Sequence, residues 1–222
     1  MIITSNTFKI IEEFYKKTYK HKESNTIFRE PHRFLFLNLI KNLLPKSPAC
    51  VEIGTHLGHN ASRILDILTP SKLFLIDIKF NPLFPVEDNI KDAITKNTCK
   101  AITSDSSDVK WVPEGMLFDY IYIDGDHSYD KVTQDINTWF PFVKPNGIIA
   151  GHDYSINEIR DKNTNSFGVV RAVNKFFLER KDEVRPLPQR IEYVIHKDID
   201  INDFNFSPVV CGNEWALIKS KV

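Results

Sequence analysis

The chain has 222 residues, of which 42% are hydrophobic, so it is long enough for one α/β domain with a substantial core. Its 29 Lys and Arg residues balance its 29 Asp and Glu residues, which argues against nucleic acid or an anionic membrane surface as a partner. No apolar run approaches the roughly 18 residues that span a bilayer, and the amino terminus lacks the pattern of a signal peptide. We therefore expect a cytoplasmic protein whose three widely spaced cysteines are reduced.

The first part of the chain has a helical pattern. Apolar residues recur at helical spacing over residues 7–20 and 30–44, and prolines then interrupt the pattern before the first apolar strand. We expect residues 1–46 to form a helical cap and residues 47–222 to form the main domain.

Strand and helix patterns alternate from residue 49 onwards, as is typical of a doubly wound parallel sheet. The predicted strands are 49–54, 72–78, 99–103, 118–124 and 147–152. The predicted helices are 58–68, 86–97, 129–143 and 168–180.

Three other segments complete this pattern. The sequence KPNG at residues 144–147 predicts a turn, and the polar loop 155–166 is a candidate mobile lid. Two β-rich runs, 190–196 and 214–220, predict an antiparallel hairpin. The expected fold class is α/β, a Rossmann-like doubly wound sheet of seven strands that is mostly parallel, with N-terminal helices.

The first strand continues into the sequence VEIGTHLGHNA (51–61), which is a strand followed by a glycine turn and a helix start. Gly54 permits a tight turn, and Gly58 would let the helix amino end approach a ligand, where backbone N–H groups attract a carboxylate or phosphate. His56 stands where the dinucleotide motif has its second glycine, which disfavours a nicotinamide cofactor. The pattern alone is equally compatible with an ordinary strand-to-helix turn.

Acidic residues end the next two strands. Asp77 lies 25 residues beyond Glu52, where an acid can accept both hydroxyls of a ribose, although a solvated strand-end carboxylate is the alternative. The third strand end supplies Asp105 and Ser106, which are placed either to meet an adenine or to cap a helix before Val109.

The segments YIYIDGDHSY (120–129) and IIAGHDY (148–154) are apolar strands that end abruptly in carboxylates and histidine. If these strands are parallel neighbours about 4.8 Å apart, Asp124, His152 and Asp153 converge at their carboxyl ends. His127 is close enough to serve as a general base or a metal ligand, or it is a structural histidine. This oxygen-rich set favours Mg²⁺ over structural Zn²⁺.

Three motifs, VEIGTHLGHNA, YIDGDHSYDKVTQDINTWFPFVKPNGIIAGHDY (122–154) and GVVRAVNKFF (168–177), carry a family resemblance. The chain resembles class I S-adenosylmethionine (SAM)-dependent methyltransferases over roughly residues 47–180. Within them it resembles the metal-dependent O-methyltransferases of methyltransferase family 24, which include macrolide sugar methyltransferases and, more remotely, catechol O-methyltransferase.

The resemblance implies a role for each candidate residue. For the cofactor SAM, it implies a loop shaped by Glu52, Gly54 and Gly58, methionine contacts from Thr55 and Asn60, a ribose contact from Asp77, and adenine contacts from Asp105 and Ser106. For Mg²⁺ or Mn²⁺, it implies the ligands Asp124, His152 and Asp153, although relatives often carry Glu or Asp at the position of His152. It implies that His127 is a general base that acts beside Asp124.

The leading hypothesis is a divalent-metal-assisted O-methyltransferase that acts on a hydroxyl of a sugar, a glycan precursor or another small natural product. One alternative is a non-catalytic subunit that binds SAM and regulates a partner. Another is a nicotinamide-dependent dehydrogenase, which the missing middle glycine disfavours. Aromatic runs such as WFPF (139–142), together with the habit of the family, favour a homo-oligomer, at least a dimer.

Overall fold

A mixed sheet with helices on both faces forms the framework of the protein. The structure is a computed structural model, and it describes residues 31–85, 87–154, 168–188, 209–211 and 214–221. The predicted helix 7–20, the polar loop 155–166 and the β-rich run 190–196 lie outside the described residues.

The described elements alternate along the chain as the sequence pattern predicts. In chain order they are α1 (Pro31–Lys41), β1 (Ala49–Ile53), α2 (His59–Leu68), β2 (Lys72–Asp77), α3 (Asp88–Thr95), β3 (Cys99–Thr103), β4 (Phe118–Ile123), α4 (Tyr129–Trp139), a 3₁₀ turn (Phe140–Phe142), β5 (Val143–Gly151), α5 (Val169–Glu179), β6 (Val184–Pro186), β7 (Val209–Cys211) and β8 (Glu214–Lys219). Among the described helices, none combines the length and the hydropathy that a membrane span requires.

The strand order confirms the predicted fold class. The sheet runs β3-β2-β1-β4-β5-β8-β6, and β7 also pairs with β8. β6 pairs with the carboxyl-terminal half of β8 and β7 with its first residues, so these two short strands share the seventh position. β8 is antiparallel to β5, β6 and β7, whereas the pairs among β1–β5 are parallel.

The sheet reverses its direction of winding between β1 and β4. Ile53 pairs with Ile123 at the carboxyl ends of these strands, and the Asp124 N–H donates a hydrogen bond to the Ile53 carbonyl at 2.8 Å. Ligands bind at this kind of switch point in open α/β sheets. The residues that follow β1 and β4 are therefore the first candidates for a functional site.

Two of the differences between predicted and observed boundaries have a clear physical cause. Helix α4 ends at Trp139, four residues before the predicted end, because Pro141 lacks an N–H and the chain passes into a 3₁₀ turn. The predicted KPNG turn lies inside β5 as a bulge: Phe118 pairs with Val143, and the next pair is Tyr120 with Ile148. Asn146 accommodates the bulge with a positive φ of 61°.

The alternation of side chains along β1 divides the core between the two faces of the sheet. Cys50 packs with the apolar residues of α1, α2 and α3, whereas Val51 and Ile53 pack with those of α4 and α5. Because strands alternate, Glu52 points to the α1 side, where Tyr120 and Tyr122 are also buried. Cys50 and Cys99 are buried free thiols, as expected.

Candidate active site

The turn after β1 brings the predicted cofactor loop against the end of β4. Gly54 has a φ of +82°, and its N–H donates a hydrogen bond to the Ile76 carbonyl at 2.8 Å. A Cβ at this position would lie 2.1 Å from the Asp124 carbonyl oxygen. Glycine is therefore required both by the left-handed backbone and by the close approach of the backbone segments that follow β1 and β4.

Gly58 is explained by packing. Its φ is +92°, and a Cβ there would lie 2.6 Å from Ile90 Cδ1 and 3.2 Å from Phe84 Cε2. The side chains of Ile90 and Phe84 therefore fill the space beside Gly58. The sequence interpretation had expected a ligand in that space. A role of Gly58 in cofactor binding stays a prediction.

Glu52 is a buried carboxylate at the centre of the loop. Its Oε1 accepts a hydrogen bond from Asn60 Nδ2 at 2.8 Å. Burial raises the pKa of Glu52 to about 7, a shift that the Asn60 hydrogen bond reduces and the charge of Asp124 increases.

Two buried atoms of this loop bear on cofactor binding. Glu52 Oε2 and Thr55 Oγ1 are buried, and neither makes a hydrogen bond of ordinary geometry to a described residue, although the Thr55 hydroxyl is near enough to lower the pKa of Glu52 slightly. Since buried polar atoms are nearly always hydrogen-bonded, these two atoms fit a polar ligand, such as the charged amino-acid end of SAM.

Asp77 ends β2 beside this loop. Its Oδ2 accepts a hydrogen bond from the His56 N–H at 2.8 Å, and its Oδ1 accepts one from the Lys79 N–H at 3.0 Å. Each oxygen keeps a second lone pair. The backbone thus fixes the carboxylate in a position from which it can still accept hydroxyl groups.

The predicted adenine residues form a turn. Asp105 Oδ1 accepts hydrogen bonds from the Ser107 N–H at 2.9 Å and from the Ser107 hydroxyl, which lowers the pKa of Asp105. The alternative of a helix cap before Val109 is wrong, because residues 105–117 contain no helix.

Ser106 is held by an acid that the sequence interpretation missed. Its hydroxyl donates a hydrogen bond to Asp135 on α4, and its carbonyl accepts one from Trp139 Nε1 at 2.9 Å. Burial raises the pKa of Asp135 to about 6. The signal was present in the sequence, since Asp135 lies on the apolar face of a predicted helix beside Val132 and Trp139.

The three predicted metal ligands meet at the carboxyl ends of β4 and β5. His152 Nδ1 lies 3.1 Å from Asp153 Oδ1 and 3.8 Å from Asp124 Oδ1. The ligand atoms of these three residues lie within 4.8 Å of one another, so the donor set fits a divalent cation. Asp153 has a positive φ of 58°, a backbone conformation that is concentrated at functional sites.

His127 reaches the same place from the turn after β4. Its Nε2 lies 3.2 Å from Asp153 Oδ2, so Asp153 lies between the rings of His127 and His152. The His127 carbonyl accepts a hydrogen bond from the Gly168 N–H at 2.8 Å, which links this turn to the start of α5.

Three further residues complete the group, and the sequence interpretation missed all of them. Arg33 Nη1, from α1, donates a hydrogen bond to Asp124 Oδ2 at 2.7 Å. His32 Nε2 lies 3.2 Å from His152 Nε2. Glu214 meets His152 because β8 is antiparallel to β5 with Gly151 opposite Trp215. We call the whole group the rim cluster: His32, Arg33, Asp124, His127, His152, Asp153 and Glu214.

Burial and neighbouring charges have opposing effects on the pKa values of the rim-cluster residues. Burial raises the pKa of Asp124, although Arg33 counteracts it, and burial raises the pKa of Glu214 to about 7. Burial alone would lower the pKa of His152, but the hydrogen bond to Asp153 and the charge of Glu214 raise it overall. For Asp153, burial raises the pKa, but the hydrogen bond from His152 and the charges of His152, His127 and Arg33 together lower it overall.

Comparisons with known proteins bear on the fold that positions these residues. A family model described as a methyltransferase domain matches residues 51–154, which include both glycine positions and the end of β5. A search of curated proteins found no match.

Solved methyltransferase structures share the fold at low identity. An O-methyltransferase from Bacillus cereus, solved with S-adenosylhomocysteine (SAH), has 15% identity and a TM-score of 0.56 and covers 100% of this chain and 93% of its own. The N-methyltransferase NodS from Bradyrhizobium japonicum, also solved with SAH, has 13% identity and a TM-score of 0.57 and covers 98% of this chain and 100% of its own. An rRNA methylase from Streptococcus thermophilus has 9% identity and a TM-score of 0.55 and covers 85% of this chain and 95% of its own.

Proteins that methylate different acceptors therefore share this architecture. At such identities the likeness shows the fold and leaves the acceptor open. Together with the domain match over residues 51–154, it shows that the chain is similar to methyltransferases of this fold.

Proposed function

We propose that this protein is a SAM-dependent O-methyltransferase, assisted by a divalent metal, that methylates a hydroxyl of a sugar, a glycan precursor or another small natural product. The proposal depends chiefly on one observation. The glycine turn after β1 lies directly against Asp124, so the predicted cofactor loop adjoins the acids and histidines of the rim cluster.

The residues around the glycine turn would hold SAM. Glu52 Oε2 and Thr55 Oγ1 offer buried polar atoms to its methionine end, and Asp77 offers a fixed carboxylate to its ribose. SAM supplies, when bound, an electrophilic methyl group on a sulfonium. The task of the protein is then to align an oxygen nucleophile with that methyl group and to remove its proton.

Asp124, His152 and Asp153 would hold Mg²⁺ or Mn²⁺ through Oδ1, Nδ1 and Oδ1, since Arg33 engages the other oxygen of Asp124. A divalent cation lowers, when bound, the pKa of a hydroxyl in contact with it. The acceptor proton would pass to His127, whose Nε2 faces Asp153 Oδ2. A carboxylate in that position orients the ring and stabilises its protonated form, so Nδ1 is the nitrogen that accepts the proton.

The composition of the chain favours one class of acceptor molecule. The chain has no net charge, which argues against a large nucleic acid and favours a small hydroxylated molecule. α1 would form one wall of the acceptor site, because His32 and Arg33 belong to its first turn and contact residues at the ends of β4 and β5.

The test is methyl transfer from labelled SAM to a panel of sugars, nucleotide sugars and phenols, with Mg²⁺, with Mn²⁺ and with EDTA. We expect turnover that requires the metal and falls at least about 100-fold in His127→Ala, the usual size of a general-base effect. His59→Ala is the matched control, since His59 also faces a carboxylate, that of Glu87 at 3.2 Å.

Thermal shifts separate the alternatives. Stabilisation by SAH and not by NAD is expected, and stabilisation by NAD alone would contradict the proposal. SAH binding without metal-stimulated transfer to any acceptor of the panel would favour the non-catalytic subunit.

A further inference from the structure

Three ligand atoms of the rim cluster surround one point on the α1 side. His32 Nε2 lies 3.2 Å from His152 Nε2, and Glu214 Oε1 lies 3.7 Å from the first nitrogen and 3.8 Å from the second. A triangle with these sides has a point about 2.1 Å from all three atoms, and Zn–N and Zn–O bonds measure roughly 2.0–2.2 Å.

Glu214 gives independent reason to expect a cation there. Its side chain is 0% exposed, and its Oε2 accepts a hydrogen bond from the Tyr122 hydroxyl at 2.8 Å. Its Oε1 is buried and accepts no hydrogen bond from any described residue. Leaving a buried carboxylate oxygen without a hydrogen bond is costly, and the groups that face this oxygen are the two imidazole nitrogens and Arg33 Nε, at 3.7–3.8 Å.

The surrounding charges leave room for a cation. Arg33 Nη1 is engaged by Asp124 Oδ2 at 2.7 Å, and Arg33 Nε is 3.8 Å from Glu214 Oε1, which is too long for a hydrogen bond. The rim cluster has three carboxylates, those of Asp124, Asp153 and Glu214, and one guanidinium. Burying that excess of negative charge is unfavourable unless protons or cations balance it.

We propose that His32, His152 and Glu214 form a transition-metal site, occupied by Zn²⁺ or a similar divalent ion, which shares only His152 with the predicted Mg²⁺ ligands. Two imidazoles and one carboxylate are a common zinc donor set with a fourth position open, whereas Mg²⁺ prefers oxygen. A neutral imidazole has one unprotonated nitrogen, so when His152 Nε2 binds this ion, Nδ1 keeps its proton and donates it to Asp153 Oδ1, and Asp124 and Asp153 remain for Mg²⁺.

This ion would tie three distant segments together at the site. His32 belongs to α1, His152 follows β5, and Glu214 begins β8. Binding would fasten α1 over the carboxyl end of the sheet and would increase stability whether or not the protein transfers methyl groups.

The experiment uses the full chain after treatment with a chelator. Titration calorimetry with Zn²⁺ should show one tight site, and Co²⁺ should give the visible d–d absorption of a tetrahedral site. His32→Ala should weaken Zn²⁺ binding at least about 100-fold, because even outer-shell partners of a metal ligand change affinity roughly 10–100-fold. The effect of Mg²⁺ on thermal stability should stay unchanged in that variant.

Two control variants make the result specific. The His59 side chain is 25% exposed and that of His32 is 26% exposed, and both face a carboxylate, so His59→Ala should bind Zn²⁺ as the parent does. Asp153→Asn replaces the carboxylate that accepts the proton of His152 Nδ1, so it should weaken Zn²⁺ binding by about 10–100-fold, less than His32→Ala does. The proposal is overturned if the parent binds no Zn²⁺, if His32→Ala keeps full affinity, or if Asp153→Asn weakens Zn²⁺ binding more than His32→Ala does.

A second measurement does not depend on how the variants fold. Anomalous diffraction at the zinc edge from a Zn²⁺-soaked crystal of the parent should give a peak between His32, His152 and Glu214. A peak beside Asp124 and Asp153 alone would overturn the proposal.

Discussion

The two ends of the site differ in where their residues come from. At the carboxyl ends of β1–β3, Glu52, Asp77 and Asp105 each interact with residues nearby in sequence or on the adjacent turn. In the rim cluster, by contrast, Arg33 and Asp124 are 91 positions apart, and His32 and His152 are 120 apart. The first region is built from local turns and the second from tertiary packing, so mutations should affect the two regions differently.

The largest expected effect is at the junction between the two regions. Gly54→Ala would place a Cβ 2.1 Å from the Asp124 carbonyl on a backbone with a φ of +82°. We expect a loss of at least about 3 kcal/mol in the free energy of unfolding, from strain and overpacking together, measured by urea denaturation.

Gly115→Ala is the matched control for that substitution. Gly115 also has a positive φ, of +72°, but a Cβ there meets nothing within 4 Å. Gly115→Ala should lower the free energy of unfolding by only about 1–2 kcal/mol, which is the cost of a left-handed backbone at a residue with a side chain. Equal losses at both glycines would mean that the close approach of β1 and β4 adds nothing.

Arg33→Met tests the tertiary region. It would leave Asp124 without its guanidinium partner in a mostly buried place. Removing one partner of a buried pair costs about 3–5 kcal/mol, and the partial exposure of Asp124 reduces our expectation to about 2–3 kcal/mol. Calorimetric or urea unfolding at pH 7 measures this loss.

Two comparisons sharpen that measurement. Lys91→Met removes the exposed pair with Asp88 and should cost less than about 0.5 kcal/mol. The double variant Arg33→Met/Asp124→Asn should regain part of the loss, because the charge of Asp124 is then no longer left unpaired. If the double variant loses as much stability as Arg33→Met and Asp124→Asn lose separately and added together, Arg33 and Asp124 do not stabilise each other.

The most gradual effect is a pH dependence on the cofactor side. The pKa of Glu52 is raised from 4.5 to about 7, so the unfolded chain releases this proton at lower pH than the folded protein does. The contribution of neutral Glu52 to stability is complete below about pH 4.5 and declines towards pH 7, by at most about 1.4 kcal/mol per pH unit. Glu52→Gln, which keeps an acceptor for Asn60, should remove this decline.

The measurement is the free energy of unfolding of both proteins at pH 5, 6 and 7. The parent should lose stability relative to Glu52→Gln as the pH rises. Parallel curves for the two proteins would show that Glu52 is charged throughout this range.

The contrast between the regions also explains which features could be predicted from sequence. Strand ends follow from apolar runs, and parallel pairing brings strand ends together, so the convergence of Asp124, His152 and Asp153 was predictable. The hydrophobic pattern and the order of elements were sufficient for the fold class as well. The functional roles of these residues, and the division between residues 1–46 and 47–222, stay predictions.

His32, Arg33 and Glu214 could not be placed in the same way. Helical periodicity shows that α1 has an apolar face, but it does not say where the helix lies on the sheet. Glu214 precedes a recognisable strand, yet its position beside His152 depends on the register of β8 against β5. Both facts arise from packing over long distances in the chain, which no local pattern encodes.

The position of β8 has a consequence for synthesis of the protein. It is the last of the described strands in chain order, but it lies inside the sheet between β5 and β6. While the ribosome is still translating the segments before Glu214, the nascent sheet exposes the backbone of β5 as an open edge, and the Tyr122 hydroxyl lacks its acceptor. Premature termination upstream of this strand would therefore yield a polypeptide that is prone to edge-to-edge aggregation as well as deprived of a rim carboxylate.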